Sequence, residues 1–221
     1  HLIYFIFYSK TLDHSMVPDT SAESLENSPD NLTIAKVLKE NDKDNIFYVS
    51  SEYSLGVEPT LDYLYKSSDI IIIGTFENDS ISYVSEGTIR TKTTFNTIQV
   101  LKNESNTDVN GSVTFERLGG VMLLDDFLKD NIAVREDEFT NIDKTARANY
   151  YVVQEFAPNN QLDFASMEEN KEYLLFLSYS DGVLMPNSVH YGIREISNNK
   201  VYDYDKATYI NSNIIKNDVE Q

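Results

Sequence analysis

Four consecutive isoleucines, Ile70 to Ile73, opened by Ser68-Asp69 and closed by Gly74, leave their segment with no side that suits water. β-Branched residues are stiff at χ1 and fit a pleated surface better than a helix. The run is too short to cross a bilayer and is bounded by turn residues, so it is expected to form a strand buried on both faces. Such a strand is the expected staple of an all-β core. It carries no chemistry of its own.

The chain of 221 residues suffices for one good core with or without a tail, and its 41% hydrophobic content is that of a globular protein. Charge narrows the choice of partner. The 36 acidic residues outnumber the 18 basic ones and leave a net charge of -18. With Lys and Arg so few and unclustered, a phosphate backbone or an anionic membrane surface would repel the chain. Nucleic acid is excluded on this ground; cations and basic protein surfaces remain. The lack of cysteine excludes disulfides, thiolate zinc sites and a cysteine nucleophile. It is compatible with the cytosol and equally with a Gram-positive-type cell surface.

Residues 1–44 read as an N-terminal apolar segment followed by a polar linker, and residues 45–221 as a β-barrel domain. Leu2 to Tyr8 is wholly apolar or aromatic. It is either a strand packed on the domain or the trailing end of a longer export signal or anchor; spanning a bilayer takes about 20 such residues. Thr11 to Asn31 is polar and has no period, as a linker would. Thr33 to Lys39 sets Ile34, Val37 and Leu38 on one side of a short helix, and Asn45 to Tyr53 reads as a strand. Pro59 is expected in the first turn of a helix that puts Leu61, Leu64 and Tyr65 on one face.

After the isoleucines, Glu77 to Ser80 is expected to turn and Ile81 to Val84 to return as a strand. Thr88 to Leu101 is long and threonine-rich. It places Phe95 on one face and Ile98 and Val100 on the other, which calls for a bulge or bend between them. Asn110-Gly111 signals a hairpin, with Gly111 to Leu118 returning and Val113 and Phe115 sharing a face. Gly119-Gly120 is expected to break the sheet, Val121 to Leu128 to form a short helix, and Asn131 to Asn149 an acidic insertion. Tyr150 to Phe156 and Lys171 to Tyr179 read as strands, and His190 to Ile196 with Val201 to Tyr204 as a final hairpin. About seven or eight strands with few short helices predict an all-β barrel rather than a parallel α/β sheet.

Three of these segments, in order, resemble a known family. Ser68 to Thr75 resembles the opening strand of netrin-like domains and tissue inhibitors of metalloproteinases. Phe95 to Lys102 is similar to their long second strand, and Lys171-Glu172-Tyr173-Leu174-Leu175-Phe176-Leu177 to a later one. The same blocks occur in uncharacterised exported lipoproteins of low-GC Gram-positive bacteria, which the sequence resembles most. The resemblance covers roughly residues 60 to 205 and implies an OB-like barrel, closed or partly open, with an N-terminal arm and a place outside the cytoplasm. Those inhibitors act through a chain-terminal cysteine on a protease zinc. This chain has none, so that activity is not carried over.

Few residues here form a pattern with chemistry in it. Asn106 to Gly111 spaces oxygen ligands like the start of a calcium loop, but the twelfth position is Arg117 rather than glutamate, and a plain hairpin is the simpler reading. Glu136, Asp137, Glu138 and Asp143 are a denser carboxylate set, either a hard-cation site or a solvated loop. His190 is the one histidine outside the first 44 residues, and Ser188 and Asp181 lie near it in sequence, with no nucleophile elbow. Tyr202 and Tyr204 share a strand face, with Asp203 on the other, and suit a sugar, peptide or basic protein as well as simple packing. The candidate ligand-binding set is therefore Tyr202, Asp203, Tyr204 and His190.

The reading is a non-catalytic extracytoplasmic binding or interaction module, a cell-surface lipoprotein or anchored protein. Its partner is a protein or small ligand, its contact with membrane is only through an N-terminal anchor, and no cofactor is implied. The alternatives are a hydrolase using His190 or a carboxylate pair, and a structural spacer in an envelope assembly.

Overall fold

The isoleucine run does form a strand buried on both faces: Ile70, Ile71 and Ile72 are 0% exposed and Ile73 is 5% exposed. The computed structural model describes residues 33–50, 59–130, 142–143, 145–155, 167–203 and 208–211. In chain order the elements are α1 (Ile34–Glu40), β1 (Ile46–Ser50), α2 (Leu61–Ser67), β2 (Ile70–Ser85), β3 (Thr88–Asn103), β4 (Ser112–Leu118) and β5 (Gly120–Leu123). They continue with α3 (Leu124–Asp130), β6 (Tyr151–Glu155), β7 (Glu172–Ser180), β8 (Val183–Pro186), β9 (Ile193–Ser197), β10 (Lys200–Asp203) and β11 (Thr208–Asn211). Among the described residues no helix is long and apolar enough to cross a membrane.

The protein is all-β with short helices, and its barrel is partly open. One sheet runs β11-β10-β9-β7-β2-β3-β4, with β8 paired to the far half of β7. β8 lies against β4 without a ladder joining them, so β2, β3, β4, β8 and β7 curl round an interior that is not sealed. Ile70 and Ile72 point inward to Phe76, Phe95, Phe115 and Leu175. Ile71 and Ile73 point outward to Leu64 of α2, Leu174, Phe176 and Val201. Each buried isoleucine contributes about 1.5–3 kcal/mol. Alternation along one strand thus stitches two apolar layers together.

The helix entering this strand carries Leu61, Leu64 and Tyr65 on one face, as expected. Its cap is Thr60, whose Oγ1 accepts from the Tyr63 N–H at 3.1 Å, so Pro59 precedes the cap rather than sitting in the first turn. Ser68 and Asp69 tie the strand down. Asn187 Nδ2 donates to Ser68 Oγ at 2.9 Å, and the Asp69 carboxylate accepts from the Tyr179 N–H at 2.9 Å.

Several expectations are corrected. Glu77 to Ser80 is not a turn: β2 continues through it, absorbing Glu77 and Ser80 as bulge residues, and the chain reverses at Glu86-Gly87. Both residues there have positive φ, which matches the twist of a two-residue hairpin. The bulge expected in β3 is present, at Ile98, which is 61% exposed. It returns Val100 to the core that Phe95 occupies, not to the opposite face. Val113 and Phe115 do share that core. Only Gly119 breaks the sheet; Gly120 to Leu123 is a strand, and the helix starts at Leu124.

β5 belongs to a second, three-stranded sheet ordered β1-β6-β5, in which β1 and β6 are parallel. Ile34 and Val37 of α1 pack there against Ile46, Val121 and Val153, while Leu38 is exposed. The expected strand 45–53 is described only as β1. Between the barrel core and the core around Ile89, Met122 and Leu124, the inner face of β2, β3 and β4 turns polar. Asp79, Ser82, Thr91, Thr93 and Arg117 fill this belt, all of them buried.

Candidate functional site

The β9–β10 hairpin turns at Asn198-Asn199, both in the left-handed region at φ 52 and 58, which asparagine tolerates better than most residues. That turn sets Val201 opposite Ile196, and β11 pairs with the other edge of β10 so that Tyr202 lies opposite Tyr209. Val201, Ile196 and Ile210 face the α2 side of the sheet and join its apolar layer. Strict alternation then puts Tyr202 and Tyr209 on the opposite face. Their rings meet edge to face, 5.2 Å apart at 71°, and Tyr209 is 61% exposed.

The expected partner of Tyr202 was Tyr204, which lies outside the described residues, as does the side chain of Asp203. The observed partner, Tyr209, comes from a strand the sequence reading did not find. Its signal was the alternation in Thr208-Tyr209-Ile210-Asn211, only four residues long. On the same sheet face, Glu195 lies 3.1 Å from Lys171 Nζ, which is 2.8 Å from Glu168. The hydrogen bond to Glu168, with Glu195 adding to it, holds the Lys171 ammonium above the usual lysine range against the opposing pull of burial. Tyr173 beneath accepts from the Glu168 N–H at 2.8 Å, and burial pushes its phenol up. This sheet face therefore forms a ledge with an aromatic end at Tyr202 and Tyr209 and a charged end at Lys171 and Glu195.

His190 is not on a strand or on this ledge. It sits in a 3₁₀ turn, Val189–Gly192, is 5% exposed, and packs on Tyr191 with ring centres 4.2 Å apart. Ser188, in the left-handed region, donates its hydroxyl to Asn187 Oδ1 at 3.3 Å. Asp181 occupies the exposed turn at the far end of the β7–β8 hairpin. With Leu177 opposite Pro186 and Ser180 opposite Val183, that turn is roughly 10 Å along the ladder from Pro186. Ser188, His190 and Asp181 are not assembled into a triad.

Of the carboxylate set, Glu136, Asp137 and Glu138 lie outside the described residues. Asp143 uses Oδ1 to accept from the Thr145 N–H at 2.9 Å and hydroxyl at 2.8 Å, and the backbone hydrogen bond is the main cause of its lowered pKa. Among the described residues no three His, Asp or Glu are grouped to hold a metal ion. In the loop 106–111, Asp108 Oδ1 accepts from the Asn110 N–H at 3.0 Å, Val109 plugs the barrel core, and the Thr107 and Tyr179 hydroxyls are bonded. Arg117, at the twelfth position of the supposed loop, is buried against Asp79. The segment is a hairpin closure.

No family model, curated protein or solved structure matches this chain. Half-buried Tyr202 and exposed Tyr209 offer large, stiff, amphipathic area on one sheet face at low entropic cost.

Proposed function

We propose that this chain is a non-catalytic binding module that works outside the cytoplasm, on a cell-surface lipoprotein or anchored protein, and takes a protein or small ligand on the Tyr202–Tyr209 ledge. The observation that carries the reading is the edge-to-face pair of half-buried Tyr202 and exposed Tyr209 on the last two strands of the sheet. A ring 61% exposed on a strand is poorly used for packing and well placed for contact. The net charge of -18 favours a partner with basic character. The compartment rests on the resemblance of the Ser68, Phe95 and Lys171 segments to exported lipoproteins and netrin-like domains.

The hydrolase alternative draws no support from the placement of His190, Ser188 and Asp181. The test is capture of envelope components on the full chain, set beside the Tyr202→Ala/Tyr209→Ala variant. A component retained by the first and lost from the second is expected. Equal retention by both would overturn the ledge, and a spacer predicts that neither retains anything.

A further inference from the structure

A separate cleft of about 540 Å³ lies between α1 and the middle of β2, a volume within the range of small-molecule sites. Lys36 and Lys39, one helical turn apart, stand on the α1 wall with Glu40. Glu77, Asn78 and Glu169 form the other. The backbone fixes that second wall. Glu77 is the extra residue where the ladder jumps from Phe76↔Phe95 to Asn78↔Thr94, and Phe76 itself bridges to Glu169. A bulge re-aims the side chain it inserts. The backbone thereby places both glutamates on one side of the cleft.

Among the described residues the ion pairs leave out Lys36, Lys39, Glu77 and Glu169, as they do Lys43, Lys92 and Lys200, so the cleft charges are free to meet a ligand. An anion alone would meet three glutamates here, and a cation alone two lysines. A ligand bearing both charges offends neither wall, and each contact becomes a charge-assisted hydrogen bond.

We propose that this cleft binds a small zwitterion of amino-acid or short-peptide type, with its carboxylate between Lys36 and Lys39 and its ammonium on Glu77 and Glu169. The site is independent of the tyrosine ledge. The probe is triglycine, added to the full chain while backbone amide resonances are followed, with the N-acetylated, C-amidated tripeptide as the uncharged control. Saturable shifts at Lys36, Lys39, Glu77 and Asn78 are expected with triglycine and not with the control. Lys39→Glu and Glu77→Lys, both at exposed positions, should each weaken binding roughly tenfold, and Tyr209→Ala should leave it unchanged. Absence of saturable shifts at millimolar triglycine, equal binding of the capped peptide, or unchanged affinity in both charge variants would overturn the proposal.

Discussion

The carboxylate of Asp79 on β2 and the guanidinium of Arg117 on β4 meet on the inner face of the sheet, spanning β3, with side chains only 3% and 5% exposed. Thr93 stands between them, donating to Asp79 Oδ1 at 2.7 Å and accepting from Arg117 Nε at 3.1 Å. Breaking a buried pair strands the surviving charge, which costs more than the pair contributes. Asp79→Ala or Arg117→Ala should therefore lower stability by about 3–5 kcal/mol. Joint replacement by Leu and Met should recover most of that loss. Urea unfolding checks both; single variants within 1 kcal/mol of wild type, on the order of a surface pair, would place the charges in water.

Gly74 answers to packing rather than to turn geometry. A Cβ built there falls 2.0 Å from the Asn96 carbonyl oxygen and 2.6 Å from the Phe95 ring, so β3 would have to move. Gly87, by contrast, has positive φ but open space around it. Gly74→Ala should cost about 1–3 kcal/mol or more from overpacking, and Gly87→Ala about 1 kcal/mol from backbone strain. Thermal or urea unfolding of the two variants should give that order, and the reverse order would contradict the close pairing of β2 and β3.

Tyr83 is pushed up to about 12 from 10.0, first by burial and then by its 2.7 Å hydrogen bond to Glu116. The unfolded phenol loses its proton first. Between about pH 10 and 12 the folded chain holds more protons than the unfolded one, so stability falls as pH rises through that window. The contribution is intact below pH 10.0. Phenolate absorbance should show Tyr83 and Tyr173 titrating later than an ordinary tyrosine, and Tyr83→Phe should remove one late phenol and leave the other. An unchanged late amplitude in Tyr83→Phe would assign the shift elsewhere.

The strand cores were legible wherever side chains alone decide the outcome. Ile70 to Ile73, Val113 with Phe115, and Tyr173 to Leu177 announce buried strands because their apolar atoms have nowhere else to go. Polar stretches misled for the same reason. Glu77-Asn78-Asp79-Ser80 looks like a turn, yet two bulges carry β2 through it, and Asp79 is soluble in the core only because Arg117, 38 residues away, reaches it. Short strands were lost too. β8 and β11 have four residues each, too few for a period, and exist because β7 and β10 offer edges to pair with. The ledge was therefore half visible: Tyr202 could be named, and its partner could not.

Tyr209→Ala should cost about 1 kcal/mol of stability at most, the worth of one aromatic pair, because its ring is mainly in solvent. Circular dichroism and the unfolding midpoint would show a fold otherwise unchanged. A collapse of the hairpin would instead make Tyr209 a structural residue.

The most direct measurement is the dissociation constant of the captured envelope partner for wild type, Tyr209→Ala and Tyr63→Ala, the last an exposed tyrosine on α2 away from the ledge. A hot spot on the ledge predicts weakening of about tenfold or more for Tyr209→Ala and no change for Tyr63→Ala. Unchanged affinity in Tyr209→Ala, or equal loss in both variants, would contradict binding through the final hairpin.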